Sequence, residues 1–252
     1  MHAPVTPPPL DPELLLLAYR SGIFPMADTR EDTEVFWVEP RRRAILPLDG
    51  LRCSRSLART LRRERFAVTC NHAFEAVIDA CAAPRRDTAE TWISGRIRAS
   101  YVELHGLGQA HSLECWYHGE LVGGLYGVGF DRVFCGESMF SRVPDASKVA
   151  LAWLVAALRR AGAELLDCQF ITPHLASLGA IEISQKRYLE LLRVAQRSTE
   201  GEGAAVGTGV GVGDGAAVAL PVGFAALLGA AAGLGSASSP GNFIAQSLTQ
   251  TS

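Results

Sequence analysis

The chain has 252 residues, 48% of them hydrophobic and 20% charged, which excludes a chain disordered throughout because enough apolar surface exists to offset its conformational entropy. The length accommodates one large domain or two small ones. With 24 Lys and Arg against 26 Asp and Glu the net charge is −2, which excludes a protein that is basic all over but not a local basic patch.

In chain order, the N-terminus MHAPVTPPPLDPE lacks a basic region followed by an apolar one and does not read as a secretory signal. The six cysteines, Cys53, Cys70, Cys81, Cys115, Cys135 and Cys168, form no C-x-x-C pair. They read as reduced thiols in a cytoplasmic protein and as small buried hydrophobes. Pro4, Pro7, Pro8 and Pro9 make an extended arm. A helix follows through Leu14–Tyr19 and stops near Gly22, and a turn-rich stretch with an apolar FW pair ends at Pro40. Residues 1–39 are therefore expected to be an arm and a small subdomain, and residues 40–198 the main domain.

From Arg41 to Phe66 nine arginines face two carboxylates, Asp49 and Glu64, for a local charge of +7. A helix from about Ser54 places Arg55, Arg59 and Arg62 on one face and Leu57 and Leu61 on the other. Such a stripe is either a solvated face or the contact for an anionic partner. Phe66–Cys70 reads as a strand. Phe74, Val77, Ile78 and Cys81 keep helical spacing, with Asn71 as N-cap. The polar loop APRRDTAET leads to Trp92, and a helix over about Ile97–Leu107 has Ile97, Tyr101 and Leu104 on one face and Gly106 or Gly108 as its stop.

Three apolar runs broken at His118-Gly119 and Phe130-Asp131 predict a β-meander. Asp145 is expected to cap an apolar helix from about Ala146 to Ala161, followed by the strand ELLDCQF and an amphipathic helix over about Gln185–Gln196. This order predicts an α+β fold with helices packed on a sheet. Residues 199–252 contain 12 Gly and 12 Ala and read as a flexible low-complexity tail. Within it, Ala216–Leu234 is 19 residues without a charge. That length meets the minimum for a membrane span, and its Gly and Pro content argues against one.

Several constellations can carry chemistry. In LLDCQF an extended strand points Asp167 and Gln169 to one face and Cys168 to the other. The pair can bond to each other, to a shared ligand, or to backbone groups. Glu137, in FCGESMFSR, is a carboxylate at the end of an apolar strand and needs a partner. That partner is either a substrate ammonium or hydroxyl group or a cation such as Arg142 or Lys148. GGLYGVG offers glycines for close backbone approach to a ligand, without the strand-turn-helix setting of a nucleotide fingerprint. Tyr19, Phe36, Trp37 and Trp92 are core residues or stacking platforms for nucleobases. His105, His111 and His118 do not share a helical face, so no metal set is indicated.

Taken in order, AYRSGIFPM, FWVEPRRRAILP, SRSLARTLRR, ETWISG, AHSLECW, ELVGGLYGV, FCGESMFSR, DASKVAL, LLDCQF and HLASLGAIEI resemble the leucyl/phenylalanyl-tRNA–protein transferase family over about Pro12–Arg193. The resemblance implies transfer of Leu or Phe, sometimes Met, from aminoacyl-tRNA to the N-terminal Arg or Lys of a protein. The product is thereby marked for degradation by the N-degron pathway. The resemblance also implies an acyl-CoA N-acyltransferase-like catalytic domain, a monomer, and no coenzyme A, metal, ATP or other cofactor.

By the same resemblance Gln169, supported by Asp167, acts on the attacking amine, either as its base or by orienting it, and orientation is the favoured role because an amide is a poor base; Glu137 lies near the acceptor amine. Tyr19, Trp92 and Phe134 enclose the terminal adenosine and aminoacyl group. Leu125 walls the side-chain pocket, and Arg55, Arg59, Arg62 and Arg63 contact the acceptor stem through phosphates. Two pocket positions depart from the pattern: Met26 stands where many members have Trp, and Thr172 where many have Asn. An acyl-CoA-dependent acyltransferase or a non-catalytic RNA-binding module would share the fold or the arginine stripe. Only the transferase accounts for Glu137, Asp167 and Gln169 together.

Overall fold

The computed structural model describes residues 7–84, 90–197, 220–233 and 239–249. Asp11 caps α1 (Pro12–Arg20) by accepting the backbone N–H groups of Glu13 and Leu14. Gly22, at φ +82°, turns the chain away. β1 (Phe24–Met26) and β2 (Phe36–Val38) form a separate antiparallel pair. After β3 (Arg42–Ile45), Ser54 caps α2 (Arg55–Arg62), which buries Leu57, Ala58 and Leu61 and leaves Arg55, Arg59 and Arg62 in solvent, as its spacing predicts. Then come β4 (Ala67–Cys70), α3 (Phe74–Ala82) and α4 (Gly95–Gly106).

The meander is β5 (Ala110–Tyr117), β6 (Glu120–Phe130) and β7 (Val133–Ser141). His118 and Gly119, both at positive φ, make its first tight turn. The chain continues with α5 (Ala146–Arg160), β8 (Leu165–Gln169), α6 (Pro173–Ser177), β9 (Ile181–Ser184) and α7 (Gln185–Ala195). It closes with α8 (Leu220–Gly233) and α9 (Pro240–Thr249).

Seven strands form one mixed sheet in the order β4-β5-β6-β7-β8-β3-β9. Every pairing is antiparallel except β7 with β8. A parallel pair needs a crossover, which α5 supplies. Strand alternation divides the core between the two faces. Leu113, Leu125 and Leu166 pack with α2 and α5 on one face. Tyr126, Val128 and Cys135 pack with α1, α3, α4 and α7 on the other.

The C-terminal region departs from the flexible tail expected of its composition. Over residues 220–233 and 240–249 it forms helices that pack on the domain. Leu220, Phe224 and Leu227 of α8, with Ile244, Ala245 and Leu248 of α9, join the core around α5 and α2. The physical reason lies in α5, whose residues from Ala146 to Leu158 are buried all round apart from Lys148. A helix apolar on every side needs a second cover besides the sheet. Small residues let that cover come close: a Cβ at Gly223 would run into the Ala157 carbonyl oxygen. Phe224 packs on Trp153 at 5.3 Å between ring centroids. Among the described residues no helix is long and apolar enough to cross a membrane. The rest of the expected tail, and residues 85–89 of the loop before Trp92, lie outside the described residues.

Two expected caps are made differently. Asn71 does not cap α3; it sits at φ +58°, and its Oδ1 accepts the Ser112 N–H while the Glu114 carboxylate reaches the Ala73 N–H. Asp145 makes no capping bond to α5 and instead accepts from Lys148 Nζ at 2.9 Å. The glycines of GGLYGVG admit protein rather than ligand. A Cβ at Gly123 would strike Ala146, and one at Gly127 would strike the Cys135 carbonyl oxygen and the Phe134 ring.

Candidate active site

β7 and β8 pair only at Val133–Leu165, Phe134–Leu166 and Cys135–Asp167. Beyond that register the strands are no longer joined, and a cavity of about 420 Å³ is lined by both of them together with β6, α5 and α6. Leu125, Met139, Leu151, Leu154, Leu166 and Leu175 give it an apolar wall. Trp92, Glu137, Gln169, Phe170, Thr172 and His174 supply its aromatic and polar groups. Thr172 also caps α6 by accepting the Leu175 N–H at 3.1 Å.

Two residues past the last paired position, side chains replace backbone pairing. Gln169 Nε2 donates to Glu137 Oε1 at 2.8 Å. A carboxylate only accepts, so the amide nitrogen must face it and the carboxamide oxygen of Gln169 is turned elsewhere. That oxygen carries no hydrogen bond among the described residues. Glu137 Oε2 accepts from the Tyr101 hydroxyl at 3.0 Å. Tyr101 spends its proton there, so the Tyr19 hydroxyl donates to the Tyr101 oxygen. Burial pushes the Glu137 carboxyl up to about 7, against the hydrogen bonds from Gln169 and Tyr101 that favour its charged form. Burial likewise holds both tyrosines above their ordinary range, so they remain neutral donors.

Asp167 is completely buried and faces away from the cavity, unlike its neighbours Cys168 and Gln169, which both line it. The alternation expected of an extended strand fails at its last residue because Gln169 adopts φ +60°. Asp167 Oδ1 accepts the Gln169 backbone N–H at 2.8 Å and Arg43 Nε at 2.9 Å. Oδ2 accepts from Arg43 Nη2 and from the Tyr188 hydroxyl at 3.0 Å. Arg43 is 1% exposed, donates through Nη1 to the Gly22 carbonyl at 3.0 Å, and lies over the rings of Phe24 and Tyr188.

The strand pair, its cavity and the carboxamide–carboxylate contact coincide with the sequence motifs of one enzyme family. A model described as leucyl/phenylalanyl-tRNA protein transferase matches residues 45–193, and one described as the N-terminal domain of that family matches residues 9–41. A leucyl/phenylalanyl-tRNA–protein transferase of Novosphingobium aromaticivorans is 67% identical over 260 residues, covering 98% of this chain and 99% of that protein. One from Rhizorhabdus wittichii is 59% identical over 196 residues, covering 78% of this chain and 79% of that protein.

The chain belongs to the leucyl/phenylalanyl-tRNA–protein transferase family.

It is thus an aminoacyltransferase. Of the residues expected at the transferase site, Trp92, Leu125, Glu137, Gln169 and Thr172 line the cavity. Tyr19, Met26, Phe134 and Asp167 are not among the lining residues. Tyr19 lies behind Tyr101, held by α1 against α4. Met26 is partly buried in β1 and packs against the core of the opposite sheet face. The Phe134 ring is fully buried where Gly127 leaves it room. Arg55, Arg59, Arg62 and Arg63 stand exposed on α2 and at its C-terminus, apart from the cavity-lining set.

Sequence reasoning missed three contributors. Tyr101 looked like one more apolar-face residue of α4, and a hydroxyl on a buried face is the signal that it needs a partner. Tyr188 gave the same signal on α7. Arg43 was counted in the +7 stretch, yet it is the one arginine of the nine that is buried. Its place directly before the apolar Ala44–Leu46 run was the only hint. Glu137 pairs with neither Arg142 nor Lys148; Arg142 Nη1 donates to the Leu121 carbonyl and Lys148 to Asp145.

Proposed function

We propose that this chain moves Leu or Phe, with Met as a further donor, from aminoacyl-tRNA to the N-terminal Arg or Lys of proteins in the cytoplasm, and so directs them to the N-degron pathway. The observation that carries this reading is the Gln169–Glu137 contact beside an apolar wall of Leu125, Met139, Leu151, Leu154 and Leu166. That wall suits the Leu or Phe side chain of an aminoacyl ester, which such a surface selects by shape and burial. Trp92 and Phe170 offer rings to the terminal adenosine. The exposed arginines of α2 offer charge to the acceptor-stem phosphates.

The aminoacyl ester carries its own activation. The acceptor's neutral α-amine attacks the ester carbonyl carbon, the bond to the ribose oxygen breaks, and the amine proton leaves with that oxygen. Gln169 directs its amide nitrogen at Glu137, so its carbonyl oxygen is available to accept an N–H of the amine. An amide is a poor base, and its contribution is orientation. Glu137, once ionised, provides the negative charge beside the acceptor's terminus. The parallel β7–β8 pair joined through α5, with reactive side chains where the strands part, supports an acyl-CoA N-acyltransferase-like arrangement.

The test combines the purified chain, Leu- or Phe-charged tRNA and a peptide beginning with Arg. The expected product is the peptide extended by Leu or Phe, with none formed when the peptide is N-acetylated. Absence of transfer to any free N-terminus would overturn the reading.

A further inference from the structure

Gln169 holds φ +60°, a conformation that side-chain-bearing residues adopt rarely and that persists only where the surroundings impose it. The imposing contact is visible: Asp167 Oδ1 takes the Gln169 N–H in a bond that closes a turn two residues long. Asp167 could not do this if its carboxylate were free to rotate. Arg43 prevents that. Its Nε bridges Oδ1 and Oδ2 at 2.9 and 3.1 Å, while its remaining donors reach Oδ2, Gly22 O and the Tyr188 hydroxyl. The guanidinium also lies over the rings of Phe24 and Tyr188, at 4.7 and 4.5 Å from their centroids.

Buried ion pairs are weak devices for stability, since apolar residues of similar size often pack there as well. This pair does something a pair of leucines could not. It fixes an acceptor at one defined point beneath residue 169.

We propose that Arg43 is a positioning residue for the transfer step: by locking Asp167 it sets the left-handed backbone of Gln169 and hence the direction of the Gln169 carboxamide toward Glu137. Arg43 is buried and is not among the cavity-lining residues. It also joins three parts of the chain, because Gly22 and Phe24 precede the main sheet and Tyr188 belongs to α7. The inference rests on the reading of Gln169 as the residue that orients the amine. It assigns Asp167 the role of an anchor rather than of a proton acceptor.

The test is a cycle of full-length variants, R43K, Q169A and the double variant, in single-turnover transfer from bound Leu-tRNA to saturating Arg-peptide. Rates are normalised to the fraction that binds Leu-tRNA. Lysine keeps the charge but not the planar fork. R43K is expected to slow transfer by about 100-fold, the scale of a mispositioned reacting group, while Leu-tRNA affinity changes by no more than about 2-fold. In the Q169A background R43K should slow transfer no further, because nothing remains to position.

Losses that multiply, or an undiminished R43K rate, would overturn the proposal while leaving Gln169 in place. A fully active Q169A would instead remove Gln169 itself. If R43K does not fold, R43Q/D167N removes both charges, leaves neither unpaired, and runs through the same cycle with the same expectations.

Discussion

Glu137 is expected to make this protein less stable as the solution becomes more alkaline, and removing its charge should reveal by how much. The residue is 8% exposed, and burial raises its carboxyl from the ordinary 4.5 to about 7. The folded state therefore binds a proton more tightly than the unfolded chain. The stability this provides is fully present below about pH 4.5 and is lost as pH rises through 7. At about 1.4 kcal/mol per pH unit the ceiling is about 3 kcal/mol, of which about 2.5 kcal/mol falls between pH 5 and 8.

Glu137→Gln keeps the shape and an oxygen for Tyr101 or Gln169 but carries no charge at any pH. The variant should be close to the wild type in stability at pH 5 and should gain on it by about 2.5 kcal/mol at pH 8, or roughly 5–10 °C in Tm. Groups that do not interact with Glu137 cancel in the difference between the two proteins, and the tyrosines and the Cys135 thiol that do interact with it are held above their ordinary range, outside this pH window. Chemical denaturation of both at pH 5, 6, 7 and 8 measures it. A gap that does not change with pH would refute the reasoning. So would a variant that loses ground as pH rises. The same substitution should raise the KM for an Arg-peptide acceptor, so stability and activity are expected to move in opposite directions.

Replacing Arg55, Arg59 and Arg62 with Ala should weaken tRNA binding and make the slope of log affinity against log salt shallower by about 2–3; filter binding across a salt series decides it, and an unchanged slope would place the tRNA elsewhere. Phe224→Ala removes the ring that α8 packs on Trp153 and should cost about 3 kcal/mol in urea unfolding, whereas no loss would mean that the helix contributes nothing to the core.

The sequence made legible whatever is decided locally. The spacing of Leu57 and Leu61 against Arg55, Arg59 and Arg62 specified both the helix and its buried face. His118-Gly119 marked a turn that only left-handed residues make well. The caps at Asn71 and Asp145 were misread because a local cap signal cannot anticipate a carboxylate arriving from a distant strand, as Glu114 does at Ala73. Asp167 was expected beside Gln169 on one face because alternation presumes extended backbone, and Gln169 at φ +60° breaks that premise at the residue that matters most. Arg43 was hidden by its company, since a charge run reads as surface and burial of one member depends on long-range pairing. For the C-terminal helices, composition pointed one way and the all-round apolarity of α5 the other; the missing cover of α5 was the stronger signal.

The measurement that bears most directly on the Gln169–Glu137 centre is single-turnover transfer by Gln169→Ala, followed alongside Leu-tRNA affinity in the same protein. The expected result is a rate reduced by about 100-fold or more with affinity nearly unchanged, because the side chain acts on the incoming amine and not on the bound RNA. Transfer at the full rate, or a loss confined to Leu-tRNA binding, would contradict it.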